Sequence, residues 1–223
     1  MKPTFSVPKH KSYIEGPPRM VPGYDGLLRM TGMLFAEHIP QVGRVLVLGA
    51  GGGLELKAFG DAYPNWVFDA VDPSAEMLTL AASTAAKHSE RISFHEGTIE
   101  VAPEGPFDAA SCILVFHHIA LEQRLDILKQ VHRRLKPGAS FVIAHVSFPQ
   151  TEPEKSQWIA RHVAFGVPDG TDLKQLEHSR QAIGTRLSIL SPEEDEAMLG
   201  EAGFSNISLF YAGFSFKGWV AYA

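Results

Sequence analysis

The run Gly49-Ala50-Gly51-Gly52-Gly53 directly follows the apolar stretch Val45–Leu48. Glycine reaches backbone angles closed to other residues and lets a ligand come close to the main chain. A helix starting just beyond such a run offers free N–H groups to that ligand. Three ligand classes use loops of this kind. A phosphate loop of the G-x-x-x-x-G-K-[ST] type needs Lys and then Ser or Thr, and no such pair follows Gly53. A dinucleotide loop of the G-x-G-x-x-G or -A type is broken at Leu54, its sixth position counted from Gly49. The spacing G-x-G-x-G is met by Gly49, Gly51 and Gly53.

A carboxylate is the second group placed for chemistry. Asp72 stands 19 residues after Gly53, at the end of the apolar run Trp66–Val71. There it can accept hydrogen bonds from both hydroxyls of a ribose. The competing role is to cap the helix that follows, which Ser74 can also do. Three histidines lie where strands are expected to end: His117, His118 and His145. Imidazole titrates in the range a general base needs. Each can equally be structural.

Other chemistries find no support. Ten histidines are present, but no H-x-x-x-H or C-x-x-C pattern, so no metal is expected. There is no G-x-S-x-G elbow for a serine nucleophile. Cys112 falls inside a predicted strand and reads as a small buried hydrophobe. Arg133, Arg134 and Lys136 cluster where a helix ends, and opposing the helix dipole accounts for them.

The elements that must hold these groups alternate. Strands are predicted at Arg44–Leu48, Trp66–Val71, Arg91–His95, Phe107–Val115 and Ala139–Val146. Helices are predicted between them at Leu54–Ala62, Ser74–Lys87 and Leu121–Leu135. Such alternation reads as an α/β fold with a parallel sheet covered on both faces. Tyr24–His38 has the spacing of an amphipathic helix, stopped by Pro40, and residues 1–22 read as an arm without a clean period. Residues 147–190 break the rhythm, with helix-like stretches at Glu154–Phe165 and Asp172–Ile183. An insertion after the fifth strand lies at the carboxyl edge, where ligands bind, so it reads as a lid or substrate-capture segment. Ser191–Ala202 is a capped helix, with Pro192 at its first position and Gly203 beyond its end. Ser205–Tyr211 and Phe214–Ala221 are too close for a crossover, so they form an antiparallel hairpin.

Length and composition bound the function. The 223 residues fit one domain, 1–223, with 1–40 as N-terminal arm and lid helix and 147–190 as the insertion. Net charge is −5, which argues against nucleic acid as the direct substrate. A single cysteine forms no internal disulfide and points to a reducing compartment. With no secretory apolar core and no apolar run of about 18 residues, a cytoplasmic protein with no membrane partner is expected. The arm can cover its own site or that of a second copy in a homodimer; periodicity does not distinguish the two.

The ordered set of motifs resembles class I S-adenosylmethionine-dependent methyltransferases over about residues 24–223. The glycine loop and Asp72 match the family's first two motifs. Glu96-Gly97-Thr98 follows the third strand, where the family often has Gly-Asp. Phe107–His118 is similar to its fourth-strand motif, Leu135-Lys136-Pro137-Gly138 is a common signature, and Ala202-Gly203-Phe204 leads to the terminal hairpin. The resemblance implies a Rossmann-like sheet of seven strands, six parallel and one antiparallel, with flanking helices. It implies S-adenosylmethionine as cofactor, held by Gly49, Ala50, Gly51, Asp72, Pro73, Thr98 and Ile99, with Val115 on the far side. Val47 and Thr98 depart from the acids that the family often carries at these places. The implied activity is methyl transfer to a small or medium-sized acceptor. A base, needed only for a protonated acceptor, would be His117 or His118. Tyr24 and His145 would face the substrate, and Tyr13, Tyr24 and Trp158 could wall the sulfonium or acceptor.

Val21-Pro22-Gly23-Tyr24, Gly32-Met33-Leu34 and Phe210–Phe216 are more specifically similar to carboxy-S-adenosylmethionine synthases, which act in tRNA wobble-uridine modification. In that family an arginine ahead of the last helix holds the extra carboxylate, and Arg180 falls at the matching offset. A guanidinium binds carboxylate bidentately. Two alternatives therefore accompany methyl transfer: a synthase of that kind, and a non-catalytic cofactor-binding protein.

Overall fold

The computed structural model describes residues 10–39, 41–167 and 170–223. Tyr13's side chain, Pro40 and Pro168 lie outside what is described. Seven strands form one sheet: β1 (Gly43–Leu48), β2 (Trp66–Asp72), β3 (Ile92–Glu96), β4 (Phe107–Ile113), β5 (Leu135–Val146), β6 (Ser205–Gly213) and β7 (Phe216–Tyr222). Their order is β3-β2-β1-β4-β5-β7-β6. β1 to β5 pair in parallel, and β7 runs antiparallel to both β5 and β6. This is the expected Rossmann-like architecture.

Alternation along the strands sorts the core. Leu46, Leu48, Ala110, Cys112, Phe141 and Ile143 face one side, where they meet Leu128 and Val131 of α5 (Leu121–Arg134) and Leu199 of α8 (Pro192–Glu201). Val45, Val47, Ala109 and Val142 face the other. There they meet Phe35 of α2 (Tyr24–Ala36), Leu56 and Phe59 of α3 (Leu54–Ala62) and Ala81 of α4 (Ala75–Thr84). With both faces covered, the central strands lose polar alternation and read as apolar runs. α8 starts on a full capping box between Ser191 and Glu194, worth about 1 kcal/mol.

Several boundaries differ from the sequence reading. Residues 10–20, read as an arm, contain helix α1 (His10–Met20), with Pro17 and Pro18 inside it. The Pro17 carbonyl still accepts from the Val21 N–H at 2.9 Å, and α1 rests on α2 and on α6 (Glu154–Gly166). The predicted helix to Lys87 stops at Thr84, and a 3-10 turn (Ala86–Arg91) follows. That turn seats Arg91, whose guanidinium donates to the carbonyls of Gly60, Tyr63 and Trp66. β5 begins at Leu135 rather than Ala139, because an irregularity in its pairing with β4 absorbs Pro137 and Gly138. Phe214 lies in the hairpin turn at φ 60° and β7 starts two residues later. The insertion forms α6 and α7 (Leu173–Arg186), as expected. Among the described residues no helix is long and apolar enough to cross a membrane.

Candidate functional site

The carboxyl ends of β1, β2, β3 and β4 converge on the glycine loop. Gly49, Gly51 and Gly53 all have positive φ, at 75°, 49° and 80°. The Gly49 and Ala50 N–H groups both donate to the Val71 carbonyl, at 2.8 and 2.9 Å, pinning the loop to β2. Gly53 caps α3, and a Cβ there would meet the Ala81 backbone at 2.7 Å. Its absence is what lets α3 and α4 pack closely.

Asp72 is buried beside this loop, 8% exposed. One oxygen accepts from the Gly51 N–H and the other from the Ser74 N–H, each at 2.9 Å. The helix-capping task falls to the Ser74 hydroxyl, which accepts from Met77 N–H. Asp72 therefore ties the loop to α4 rather than capping it. Burial raises its pKa, opposed by the two N–H donors. A carboxylate has about four acceptor positions, so these two bonds leave capacity for further donors.

The neighbouring strand ends complete the edge. The Gly97 N–H donates to the Asp72 carbonyl at 3.1 Å. Pro73 and Thr98 are exposed, and the Thr98 hydroxyl bonds the Glu100 carboxylate. The Ile99 side chain is taken up by the core. Leu114, at φ 63°, is a strained turn out of β4, held by a bond from its N–H to the Ala144 carbonyl. It delivers Val115 onto Gly49.

His117 and His118 lie beyond, in a 3-10 turn (Phe116–His118), their rings 4.2 Å apart. His117 is buried, and its Nδ1 accepts from the Val146 N–H at 3.4 Å. That bond puts the ring hydrogen on Nε2, so the free nitrogen is a donor and not a base. Burial, then the charges of His118 and other cationic neighbours, hold its pKa well below the ordinary value. His118 is the exposed member of the pair, its pKa lowered by desolvation. Tyr24 is buried in an apolar cluster with Ile113, Ala144, Val146 and Phe148, at the ends of β4 and β5.

Two expected substrate residues are placed elsewhere. His145 does not face the edge: it shares strand parity with Phe141 and Ile143 and so points toward α8. Its Nε2 lies 3.1 Å from Asp195 Oδ1, and its ring packs on Phe116 and Trp219. Arg180 is on α7, a helix with no buried residue, and its guanidinium lies 3.7 Å from Glu177 in open solvent. Neither joins the glycine loop.

One residue was missed. Glu55, in the first turn of α3, is 5% exposed, and its Oε1 has no hydrogen-bond partner among the described residues. Burial pushes its pKa up to about 8, with some relief from Ser111 on β4. The available signal was its position four residues before Phe59, on the apolar face of the helix. No group of three His, Cys, Asp or Glu side chains among the described residues could hold a metal.

Comparison with known proteins agrees with this geometry. Residues 46–141 match the family described as a methyltransferase domain. The carboxy-S-adenosyl-L-methionine synthase of Chromohalobacter salexigens is 24% identical over 92% of this chain and 77% of its own. That of Aeromonas salmonicida is 22% identical over 91% and 84%. Among solved structures, a Nostoc punctiforme protein assigned as an O-methyltransferase superposes with a TM-score of 0.69 at 18% identity. The match covers 96% of this chain and 59% of that one. The Burkholderia thailandensis 1,6-didemethyltoxoflavin-N1-methyltransferase, solved with 1,6-didemethyltoxoflavin and S-adenosylhomocysteine, gives 0.63 at 20% identity, over 95% and 84%. The glycine loop and Asp72 of this chain thus lie within the segment that matches a methyltransferase domain, and its sheet has the Rossmann-like fold of the methyltransferase structures it superposes on.

Proposed function

We propose that this chain transfers a methyl group from S-adenosylmethionine to a small acceptor held between the strand ends and the 147–190 insertion. The observation that carries this reading is Asp72: a buried carboxylate against a positive-φ glycine loop, with acceptor capacity left over. That combination fits a ribose diol laid along a main chain. When bound, the cofactor supplies a methyl group already activated on positive sulfur, so an acceptor lone pair forms the new bond as the carbon–sulfur pair returns to sulfur.

The chain's own part is holding and drying. Gly49, Ala50 and Gly51 give main-chain contact, with Pro73, Thr98 and Ile99 at the adenine end. The apolar cluster around Tyr24 keeps water from the edge. His118 is positioned to take a proton from a protic acceptor; His117 holds the turn in place. Calorimetric titration with S-adenosylmethionine tests the reading: micromolar binding lost in Asp72→Ala supports it, and no binding sinks it.

A carboxy-S-adenosylmethionine synthase is the second reading, favoured by relatives of that name matching over nine-tenths of the chain. Against it, Arg180 stands in solvent beside Glu177 instead of at the cofactor edge. Mass spectrometry of co-purified ligand separates the two, since only this reading expects the carboxylated cofactor. Turnover on any acceptor excludes a purely binding role.

A further inference from the structure

A cavity of about 190 Å³ opens beyond the end of β5, between Leu121 at the start of α5 and the two helices of the insertion. Phe148 and Gln150, just past β5, line it with Lys155 and Ile159 of α6 and with Leu187 and Ser188 beyond α7. It adjoins the histidine turn: the Ser188 N–H donates to the His117 carbonyl at 3.0 Å. Its walls mix the apolar side chains of Phe148, Ile159, Leu187 and Ile189 with polar groups in nearly equal share, and Lys155 is their one charged residue.

Charge balance around this cavity is one-sided. Lys155 has no carboxylate partner among the described residues. Phe148 stacks on Trp158, and Trp158 carries Arg161 at 4.9 Å and Lys217 at 5.5 Å. Neither of these cations has a carboxylate partner among the described residues either. The Glu152 carboxylate accepts from the Ser156 N–H at 3.4 Å, and Glu154 is exposed in the first turn of α6. Lys155 is thus an unpaired cation on the cavity wall, and two more, Arg161 and Lys217, stand on the Trp158 ring that stacks against the wall residue Phe148. An unpaired cation beside apolar surface gains from a bound anion.

We propose that this cavity receives the apolar body of a small organic anion, its acid group meeting Lys155. The volume is below the usual range of about 300–1,000 Å³ for ligand pockets, so the molecule is small. The proposal deepens the methyl-transfer reading and rests on it for the anion's role as acceptor; the binding site itself does not depend on it.

The test titrates benzoate and its neutral analogue benzamide into wild type, Lys155→Gln, Lys155→Arg and Leu187→Trp, following tryptophan fluorescence and heat. S-adenosylmethionine is titrated into the same samples, and thermal melting confirms that each variant folds. Wild type should prefer benzoate over benzamide by about tenfold or more, the worth of a charge-assisted hydrogen bond. Lys155→Gln should lose that preference but still bind benzamide, Lys155→Arg should keep it, and Leu187→Trp should bind neither. An undiminished preference in Lys155→Gln, no probe binding to wild type, or unchanged binding in Leu187→Trp overturns the proposal. If S-adenosylmethionine binds while the benzoate preference is absent, only the anion site fails. If the benzoate pattern holds with no S-adenosylmethionine binding, only the methyl-transfer reading fails.

Discussion

Val115 sits directly on Gly49: a Cβ at Gly49 would come 2.2 Å from Val115 Cγ2. The two residues end neighbouring strands, β1 and β4, and their contact closes the loop from above. With φ at 75°, Gly49 is also in a region that costs an L-residue about 1–2 kcal/mol. Gly49→Ala should therefore lower stability by about 2 kcal/mol or more and remove cofactor binding. Urea denaturation and calorimetry on the same variant check both.

Asp72 ties the glycine loop to the start of α4, and in the proposed function it also receives the ribose. Asp72→Ala strands two half-buried N–H groups, those of Gly51 and Ser74, at up to about 1–3 kcal/mol each where water does not replace the carboxylate. It also removes a charged acceptor for the ribose. Affinity for S-adenosylmethionine should fall by about a hundredfold or more. Asp72→Asn should be milder, since one amide oxygen still accepts. Equal losses in the two variants would remove the ribose role and leave the structural tie.

Glu55 gives the fold a pH dependence of definite sign. Its folded pKa, about 8, lies above the unfolded value of about 4.5. Between those values the folded state binds more protons than the unfolded, so stability falls as pH rises. The advantage of the neutral acid is whole below pH 4.5 and gone above 8, a loss on the order of a few kcal/mol. Glu55→Gln should be the more stable protein at pH 8, and its melting temperature should vary less across that window. Parallel curves for the two proteins would refute a buried, protonated Glu55.

The histidine pair should separate by variant. His117→Gln keeps a side chain of similar reach, but the bond to the Val146 N–H is weakened, so it should cost stability more than turnover. His118→Ala should leave melting nearly unchanged and lower turnover on a protic acceptor. A pH–rate profile insensitive to His118→Ala would exclude it as the base.

Arg180→Ala should change neither cofactor affinity nor melting measurably, because exposed pairs such as Arg180–Glu177 are worth about 0–1 kcal/mol. Loss of binding to a carboxylated cofactor in this variant would restore the synthase reading.

The glycine loop and Asp72 were legible because a strand, a turn and a helix leave local marks: an apolar run, glycines at fixed spacing, an acid at the next strand's end. His145 was misplaced because its face depends on strand parity carried through the irregular start of β5. Arg180 was misplaced because α7 buries none of its residues, so no apolar stripe oriented it. α1 was hidden by Pro17 and Pro18, which break the helical signal where neighbouring α2 and α6 hold the turn. Glu55 looked like an ordinary acid at a helix start, where the dipole favours it, and its burial is tertiary.

The position of β7 has a consequence for synthesis. It is made after β6 yet lies between β6 and β5, so β6 has no place in the sheet until Tyr222 has left the ribosome. Up to that moment β5 shows a bare edge with Phe141, Val142 and Ile143 along it. A nascent chain paused in the stretch between β6 and β7 holds a half-built sheet open to any other strand, its own or a neighbour's.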